Sequence, residues 1–161
     1  MHLLGSGAIL CEVIAAADLL AGEWEIASDV WSVTSFSELS RDARETNRYN
    51  RWHPTEVPHE SHVARCLGDP VPVIAATDYV VAYPQLISAY VRQRFVALGT
   101  DGFGRSDTRS VLRRFFEVDR FHITVAALSA LAEEKRIQPL AVREAIDKYR
   151  VNTEVEAPWN R

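Results

Sequence analysis

The segment between residues 53 and 66 carries four side chains of the kinds that bind zinc: His53, His59, His62 and Cys66. Structural zinc sites use imidazole nitrogens and thiolates, and their ligands usually come in closely spaced pairs. The segment has no such paired ligand knuckle. We therefore predict no metal site here, and we interpret Cys66 and Cys11 as reduced structural thiols rather than as a disulfide.

Gly5, Ser6 and Gly7 stand between an apolar strand and a segment of helical periodicity, a context that can bind a phosphate group. A dinucleotide-binding fingerprint requires a third glycine, but Leu10 occupies that position. A tight turn is the favoured interpretation. Phosphate binding stays open as the less favoured alternative.

Residues for nucleophilic or acid-base catalysis do not form a recognisable set. Ser6 lacks the Gly-x-Ser-x-Gly motif of a nucleophile elbow. The five histidines have no obvious acid partner or nucleophile in the sequence: His2, His53, His59, His62 and His122. We therefore predict no catalytic residue in this chain.

Arginines are concentrated between residues 92 and 120, where seven of them accompany four acidic residues. Arginine forms bidentate pairs with carboxylates and also binds phosphate. Ion pairs at an interface are the favoured interpretation of this stretch, and phosphate or nucleotide binding is the alternative. The whole chain has 18 basic and 22 acidic residues, a net charge of −4, which argues against general nucleic-acid binding.

A glycine-rich loop follows the apolar run at residues 94–98. Gly99, Gly102 and Gly104 let the backbone adopt positive φ or pass close to another surface. Phe103 stands between two of these glycines, and a large ring on a loop normally has a pocket to fill. We predict that Phe103 fills a pocket of another domain or subunit, and that Ser106 is the N-cap of the helix that follows.

These groups must be positioned by the strands and helices that the apolar periodicity predicts. Strands are predicted at about 3–4, 27–33, 70–76 and 94–98, and helices at about 9–22, 36–50, 81–91, 108–116, 120–134 and 139–149. Their alternation predicts right-handed parallel crossovers in a three-layer α/β/α domain, with a mainly parallel sheet of about four strands in the order 2-1-3-4. This order places Gly5-Ser6-Gly7 and Thr77-Asp78 at the switch point between the first and third strands.

Composition is that of one globular domain, since 47% of the 161 residues are hydrophobic. No apolar run approaches the roughly 20 residues of a membrane helix, and the first residues lack the pattern of a signal peptide.

Several motifs resemble one enzyme family. Asp101-Gly102-Phe103-Gly104-Arg105-Ser106 resembles the Asp-x-Phe-Gly-x-Ser loop in the carboxy-terminal domain of the transketolase superfamily. Leu3-Leu4-Gly5-Ser6-Gly7, Asp29-Val30-Trp31-Ser32-Val33-Thr34-Ser35-Phe36 and Phe116-Glu117-Val118-Asp119 are similar to segments of the homodimeric bacterial pyruvate dehydrogenases within it. The resemblance runs from about residue 3 to about residue 151. It implies a fragment of a longer enzyme, with a transketolase C-terminal-like domain at 1–151 and a flexible C-terminal tail at 152–161.

The resemblance also implies the activity of the parent enzyme. That enzyme decarboxylates pyruvate with thiamin diphosphate and Mg²⁺ and reductively acetylates lipoyl groups. The implied partners are the preceding domains of the same chain, a homodimer partner and the dihydrolipoyl acetyltransferase of the complex, in the cytoplasm. No nucleic-acid or membrane partner is expected.

The chain itself does not carry the family's cofactor motif, a Gly-Asp-Gly followed some thirty residues later by paired asparagines. The similar tripeptide here is Asp101-Gly102-Phe103, with a lone Asn152 far beyond it. We therefore expect an inactive structural and assembly domain without catalytic, cofactor or metal residues. The alternative is a free-standing α/β domain that binds a phosphorylated ligand or nucleotide at the carboxyl edge of the strands. The residues predicted for the interface or structural loop are Thr77, Asp78, Asp101, Gly102, Phe103, Gly104, Arg105 and Ser106.

Overall fold

The computed structural model describes residues 1–160 and contains one sheet of four parallel strands. The strands are β1 (His2–Gly5), β2 (Asp29–Ser32), β3 (Val73–Ala76) and β4 (Phe95–Leu98). Their order is β2-β1-β3-β4, which confirms the predicted topology. Both β2 and β3 pair with β1, so the direction of winding reverses between β1 and β3.

Seven helices connect or follow these strands within residues 1–160. They are α1 (Leu10–Trp24), α2 (Phe36–Trp52), α3 (His62–Cys66), α4 (Ala82–Gln85), α5 (Arg109–Phe115), α6 (Arg120–Glu133) and α7 (Pro139–Lys148). Short 3-10 turns lie at Gly7–Ile9, Ser88–Tyr90 and Pro158–Asn160. No helix in this part of the chain is long and apolar enough to cross a bilayer.

The sheet is covered on both faces, as parallel sheets usually are. Alternate residues of the strands point to opposite sides. Leu3 and Ile74 pack with α1 and α6 on one side, and α7 packs behind α6. Leu4 and Ala75 pack on the other side with α2, α3 and the segment after α4. The three-layer arrangement is thereby confirmed.

Helix starts follow from capping side chains. Ser35 Oγ accepts the Glu38 N–H at the start of α2, and Asp119 Oδ1 accepts the His122 N–H at the start of α6. Pro139 is at the first position of α7, where its missing N–H costs nothing. These boundaries agree with the sequence to within two residues.

Three local features differ from the sequence predictions. The helix predicted at 81–91 is broken because α4 ends at Gln85 and the following residues tighten into i→i−3 bonds such as Ile87 N–H to Pro84 O. Ser106 is not the N-cap of α5. Thr108 has that position, and its N–H donates to Asp107 Oδ1 at 2.7 Å. Helix α3 is additional, and five residues are too few to show a helical period.

Candidate functional site

Hydrogen bonds join the carboxyl ends of β1, β3 and β4. The Ser6 hydroxyl donates to Thr77 Oγ1 at 2.8 Å, and the Thr77 N–H donates to Leu98 O at 3.1 Å. Thr77 is buried, and its Oγ1 also accepts the Tyr79 N–H at 3.2 Å. The structure therefore brings together the two short motifs that the topology placed at the switch point.

Asp78 occupies the position that a phosphate would need at the turn after β1. Its Oδ2 accepts the Ala8 N–H at 3.3 Å. Gly7 has a φ of +58°, and a Cβ there would lie 2.6 Å from Asp78 Oδ1. Because a carboxylate already faces this turn, a phosphorylated ligand would meet a negative charge. The phosphate-binding alternative is not favoured, and the glycine is explained by the turn itself.

The glycine-rich loop packs against the segment that follows β3. Thr100 donates its N–H to Tyr79 O at 2.8 Å and its hydroxyl to Asp78 O at 2.9 Å. The Val81 N–H faces both carboxylate oxygens of Asp101 at 3.3 Å. A Cβ at Gly99 would lie 2.5 Å from Val81 N, so only glycine allows this close approach. Asp101 thus has a structural role in the loop.

The end of the chain packs against the same loop. Gly102 has a φ of +112°, and a Cβ there would lie 2.8 Å from Pro158 O and 3.0 Å from Trp159 Cα. Pro158 is buried. The domain boundary at 151 and the flexibility of 152–161 stay predictions, but residues 158–160 form a turn that contacts the loop.

Phe103 is 83% exposed at the tip of the loop, and a Cβ at the neighbouring Gly104 would meet only open space. Beyond it, Ser106 is also exposed, and the guanidinium of Arg105 lies over the Phe115 ring at 4.3 Å from the centroid. Phe103 therefore has no pocket among residues 1–160. Its contact with another domain or subunit stays a prediction.

Other apolar side chains are exposed on the segments that contact this loop. We define the aromatic edge as Tyr79, Tyr83, Phe103 and Trp159, which are between 42% and 83% exposed. Tyr79 and Tyr83 contact each other edge to face, with centroids 4.8 Å apart. Tyr79 and Trp159 are joined to the loop by the contacts with Thr100 and Gly102 described above. Grouped exposed rings of this kind are typical of a surface that another protein covers.

Arg113, Arg114 and Arg120 form ion pairs within the domain, whereas the sequence interpretation of residues 92–120 expected ion pairs at an interface. Glu12, which is 5% exposed, accepts a hydrogen bond from the Arg113 guanidinium at 2.8 Å. It also accepts hydrogen bonds from Arg120, at 2.9 Å from Nε and at 3.0 Å from the main-chain N–H. Arg114 Nη1 pairs with Asp119 at 3.4 Å, and its Nη2 donates to the main-chain carbonyls of Tyr149 and Arg150. The pairs hold α1, α5 and α6 together.

The buried position of Glu12 was not predicted from the sequence. Glu12 lies among Ile9, Val13 and Ala16 on the buried stripe of α1, and a charge inside an apolar stripe is a signal for a buried ion pair. Burial by itself raises the pKa of Glu12, but the hydrogen bonds from Arg120 and the charges of Arg120 and Arg113 outweigh it and hold the pKa below its usual range.

His122 has the acid partner that the sequence did not reveal. Its Nδ1 lies 2.7 Å from Asp119 Oδ1, the oxygen that also caps α6. Burial alone raises the pKa of Asp119, yet hydrogen bonds from His122 and the charge of Arg114 keep it below its usual range. Since Asp119 is occupied as a helix cap and ion-pair partner, we interpret the pair as structural.

Potential metal ligands approach one another at the amino-terminal ends of the strands. His2, Asp29 and Asp69 bring ligand atoms within 4.8 Å of one another. The Trp31 Nε1–H donates to His2 Nδ1 at 3.2 Å, so the neutral imidazole carries its proton on Nε2, 3.8 Å from Asp69. Burial lowers the pKa of His2 and favours that neutral form. Neither ring nitrogen then offers a free lone pair to a metal ion.

The histidines of the 53–66 segment lie in two groups. His53 and His59 stack on Tyr49, with centroids 4.0 and 4.2 Å away. His62 instead contacts Cys66, with 3.5 Å between Nε2 and Sγ. The structure does not bring the four side chains together as ligands of one ion.

Residues of the types found in the family's cofactor motif have local partners. Asp101 faces the Val81 N–H, and Asn152 Oδ1 accepts the Glu154 N–H at 3.0 Å. A magnesium-diphosphate site requires several oxygen ligands that converge on one ion. Residues 1–160 do not fit that group.

The fold and this edge define a doubly wound α/β domain in which the side chains at the switch point bond to one another and to adjacent backbone groups. The family model for the transketolase-like TK C-terminal domain matches residues 1–119, and the chain belongs to that family. The family that the sequence motifs indicated is thus confirmed.

Relatives with this similarity are much longer than the chain. It is 54% identical over 161 residues to the pyruvate dehydrogenase E1 component of Cupriavidus necator, covering 99% of this chain and 18% of that protein. The proteins of the same name from Pseudomonas aeruginosa and Escherichia coli K12 are 51% and 43% identical, over 98% of this chain and 18% of each relative. The chain therefore spans less than a fifth of the length of these relatives.

A solved structure supports the fold alone. A split-gene transketolase described as an inactive β4 tetramer superposes with a TM-score of 0.53 at 17% identity, over 81% of this chain and 39% of that one.

Proposed function

We propose that this chain is the carboxy-terminal assembly domain of a pyruvate dehydrogenase. The observation that carries the proposal is the high identity to pyruvate dehydrogenase E1 components along nearly the whole chain, although the chain covers only 18% of their length. In this proposal the domain docks onto the rest of that enzyme through the aromatic edge.

The catalytic steps belong to the remaining domains. There, thiamin diphosphate and Mg²⁺ support decarboxylation of pyruvate, and the acetyl unit is transferred reductively to lipoyl groups of the dihydrolipoyl acetyltransferase. The parent enzyme is a cytoplasmic homodimer in this proposal. Two features of residues 1–160 support the assignment of catalysis to other domains. Asp78 accepts the Ala8 N–H at the switch point, and Asp101 accepts the Val81 N–H in the glycine-rich loop.

A domain-replacement experiment tests the proposal. The Cupriavidus necator enzyme is prepared in three forms: intact, without its carboxy-terminal domain, and with that domain replaced by residues 1–161 of this chain. We expect the replacement to restore the dimer and the pyruvate-dependent acetylation of lipoyl groups that the deletion abolishes. Sedimentation velocity and lipoyl acetylation are the two measurements.

The isolated chain provides the complementary measurement. With thiamin diphosphate and Mg²⁺ present, it should produce no carbon dioxide from pyruvate. A deletion enzyme that stays dimeric and fully active would contradict the assembly role, and turnover by the isolated chain would contradict the assignment of catalysis to other domains. Phosphate or a nucleotide that raised the melting temperature of the isolated chain would support the ligand-binding alternative instead.

A further inference from the structure

Helix α3 holds a thiol and an imidazole side by side. The Asp42 carboxylate accepts the His62 N–H at 2.7 Å, and Ser61 Oγ accepts the Ala64 N–H at 3.3 Å, so the start of this short helix is fixed. Residues four apart on a helix lie one above the other. His62 Nε2 accordingly lies 3.5 Å from Cys66 Sγ. A nucleophile and a base at this separation form a chemical pair.

The pair is on the wall of an open cleft. The cleft has a volume of about 510 Å³ and runs between β2, α2 and α3, with Trp31 and Leu39 among its apolar lining residues. Cys66 is partly buried there, while His62 is exposed. A small solute can therefore reach the sulfur from the cleft.

The charges that face the pair come from both helices. Glu38 and Asp42 of α2 and Arg65 of α3 line the same cleft, so the fixed charge around it is slightly negative. Such a site does not attract an anion, but it does not hinder an uncharged reactant. Hydrogen peroxide and iodoacetamide are uncharged.

We propose that Cys66 is an oxidation-sensitive thiol for which His62 is the base, and that a peroxide is its reactant. His62 Nε2 accepts the thiol proton, and the sulfur attacks one peroxide oxygen. The S–O bond forms as the O–O bond breaks, and the leaving hydroxide takes the proton from the imidazolium to become water. Cys66 is oxidised to the sulfenic acid and the peroxide is reduced.

The chain contains its own reference thiol. Cys11 is exposed on α1 and makes no side-chain hydrogen bond within residues 1–160. If accessibility alone set reactivity, Cys11 would react faster than the partly buried Cys66. Base assistance from His62 reverses that order, so the two rates measured in one sample distinguish the explanations.

The first experiment measures alkylation of the folded chain by iodoacetamide near neutral pH, with peptide mass spectrometry at timed intervals. We expect Cys66 to react about tenfold faster than Cys11, because proton removal by a positioned base accelerates such steps at least that much. His62→Gln should reduce the Cys66 rate to that of Cys11 or below. His59→Gln, which removes an imidazole stacked on Tyr49, should change neither rate.

The second experiment exposes the chain to hydrogen peroxide in the presence of dimedone, which traps sulfenic acid. The adduct should form on Cys66 in the unaltered chain and in His59→Gln, but not in His62→Gln. Equal alkylation rates at the two cysteines of the unaltered chain would overturn the proposal without any variant. A Cys66 rate that His62→Gln leaves unchanged would overturn the assignment of the base.

Discussion

Replacing Glu12 by alanine should destabilise the domain more than any loss of a surface ion pair. The Glu12 side chain is 7% exposed, and its two oxygens accept four hydrogen bonds from Arg113 and Arg120. The partners are 101 and 108 residues away in sequence. The substitution therefore removes the ion pairs that join α1 to α5 and α6.

The size of the effect follows from what the arginines lose. Removing one partner of a fully buried ion pair costs about 3–5 kcal/mol, because the remaining charge stays desolvated. Here Arg113 is 21% and Arg120 44% exposed, so water can hydrate them in part. We expect the free energy of unfolding to fall by about 2–3 kcal/mol, including the lost acceptor for the Arg120 N–H.

Urea denaturation of the isolated chain measures this change, with Glu133→Ala as the matched control. Within residues 1–160, Glu133 forms an ion pair with Arg94, and both side chains are about half exposed. Loss of that pair should cost at most about 1 kcal/mol. Equal losses for the two variants, or a loss below about 1 kcal/mol for Glu12→Ala, would refute the reasoning.

The ion pairs of Glu12 also predict how the stability of the domain depends on pH in the acidic range. Because the pKa of Glu12 is lowered in the folded state, its contribution is present above the unfolded value of about 4.3 and is lost as the pH falls through the folded value. Glu12→Gln cannot titrate at this position. The difference in unfolding free energy between the unaltered chain and Glu12→Gln should therefore shrink as the pH falls from neutral to below the unfolded value, and a constant difference would contradict the pKa shift.

Three further outcomes are expected. Burial and the hydrogen bond to Glu23 raise the pKa of Tyr149 to about 12. The unaltered chain should therefore lose stability as the pH rises from about 10 to about 12. In denaturant titrations Tyr149→Phe should lose less stability over that range. Gly102→Ala should lower the unfolding free energy by about 1–3 kcal/mol because of its positive φ and the approach of Pro158, whereas Gly104→Ala should change it little. Phe103→Ala should leave the denaturation midpoint of the isolated chain unchanged but weaken the dimer of the domain-replacement enzyme by about 2–4 kcal/mol. Unchanged dimerisation would exclude the interface role of Phe103.

The sheet could be predicted from the sequence because the patterns that indicate its strands and helices are local. Short apolar runs ended at glycine or threonine, the helices between them kept a clear period, and parallel strands with helical crossovers leave few possible orders. The meeting of Ser6 with Thr77 follows from that order alone. Family motifs then located the glycine-rich loop, whose backbone contacts explain Gly99 and Gly102.

Features that depend on distant partners were not predictable in the same way. The arginines were recognised as ion-pair formers, but their acceptor Glu12 is about a hundred residues earlier and nothing in the local pattern joins them. The break at Pro84 depends on how the next residues satisfy their hydrogen bonds, and α3 is too short to show a period. The contact of Pro158 with Gly102 likewise depends on the folded path of the chain.

The carboxyl edge of this sheet connects the fold to the proposed role. In doubly wound sheets the crevice at the switch point is where a ligand usually binds. Here Ser6 donates to Thr77, and Thr77 and Asp78 accept adjacent backbone N–H groups, so these three side chains are already engaged within the domain. The same hydrogen bonds fix the loops from which Phe103 and its neighbouring rings project. Because these loops are already ordered, they lose less conformational entropy when the domain docks. We therefore expect a variant that loosens the loop to weaken both folding and assembly, whereas one that only removes the Phe103 ring should weaken assembly alone.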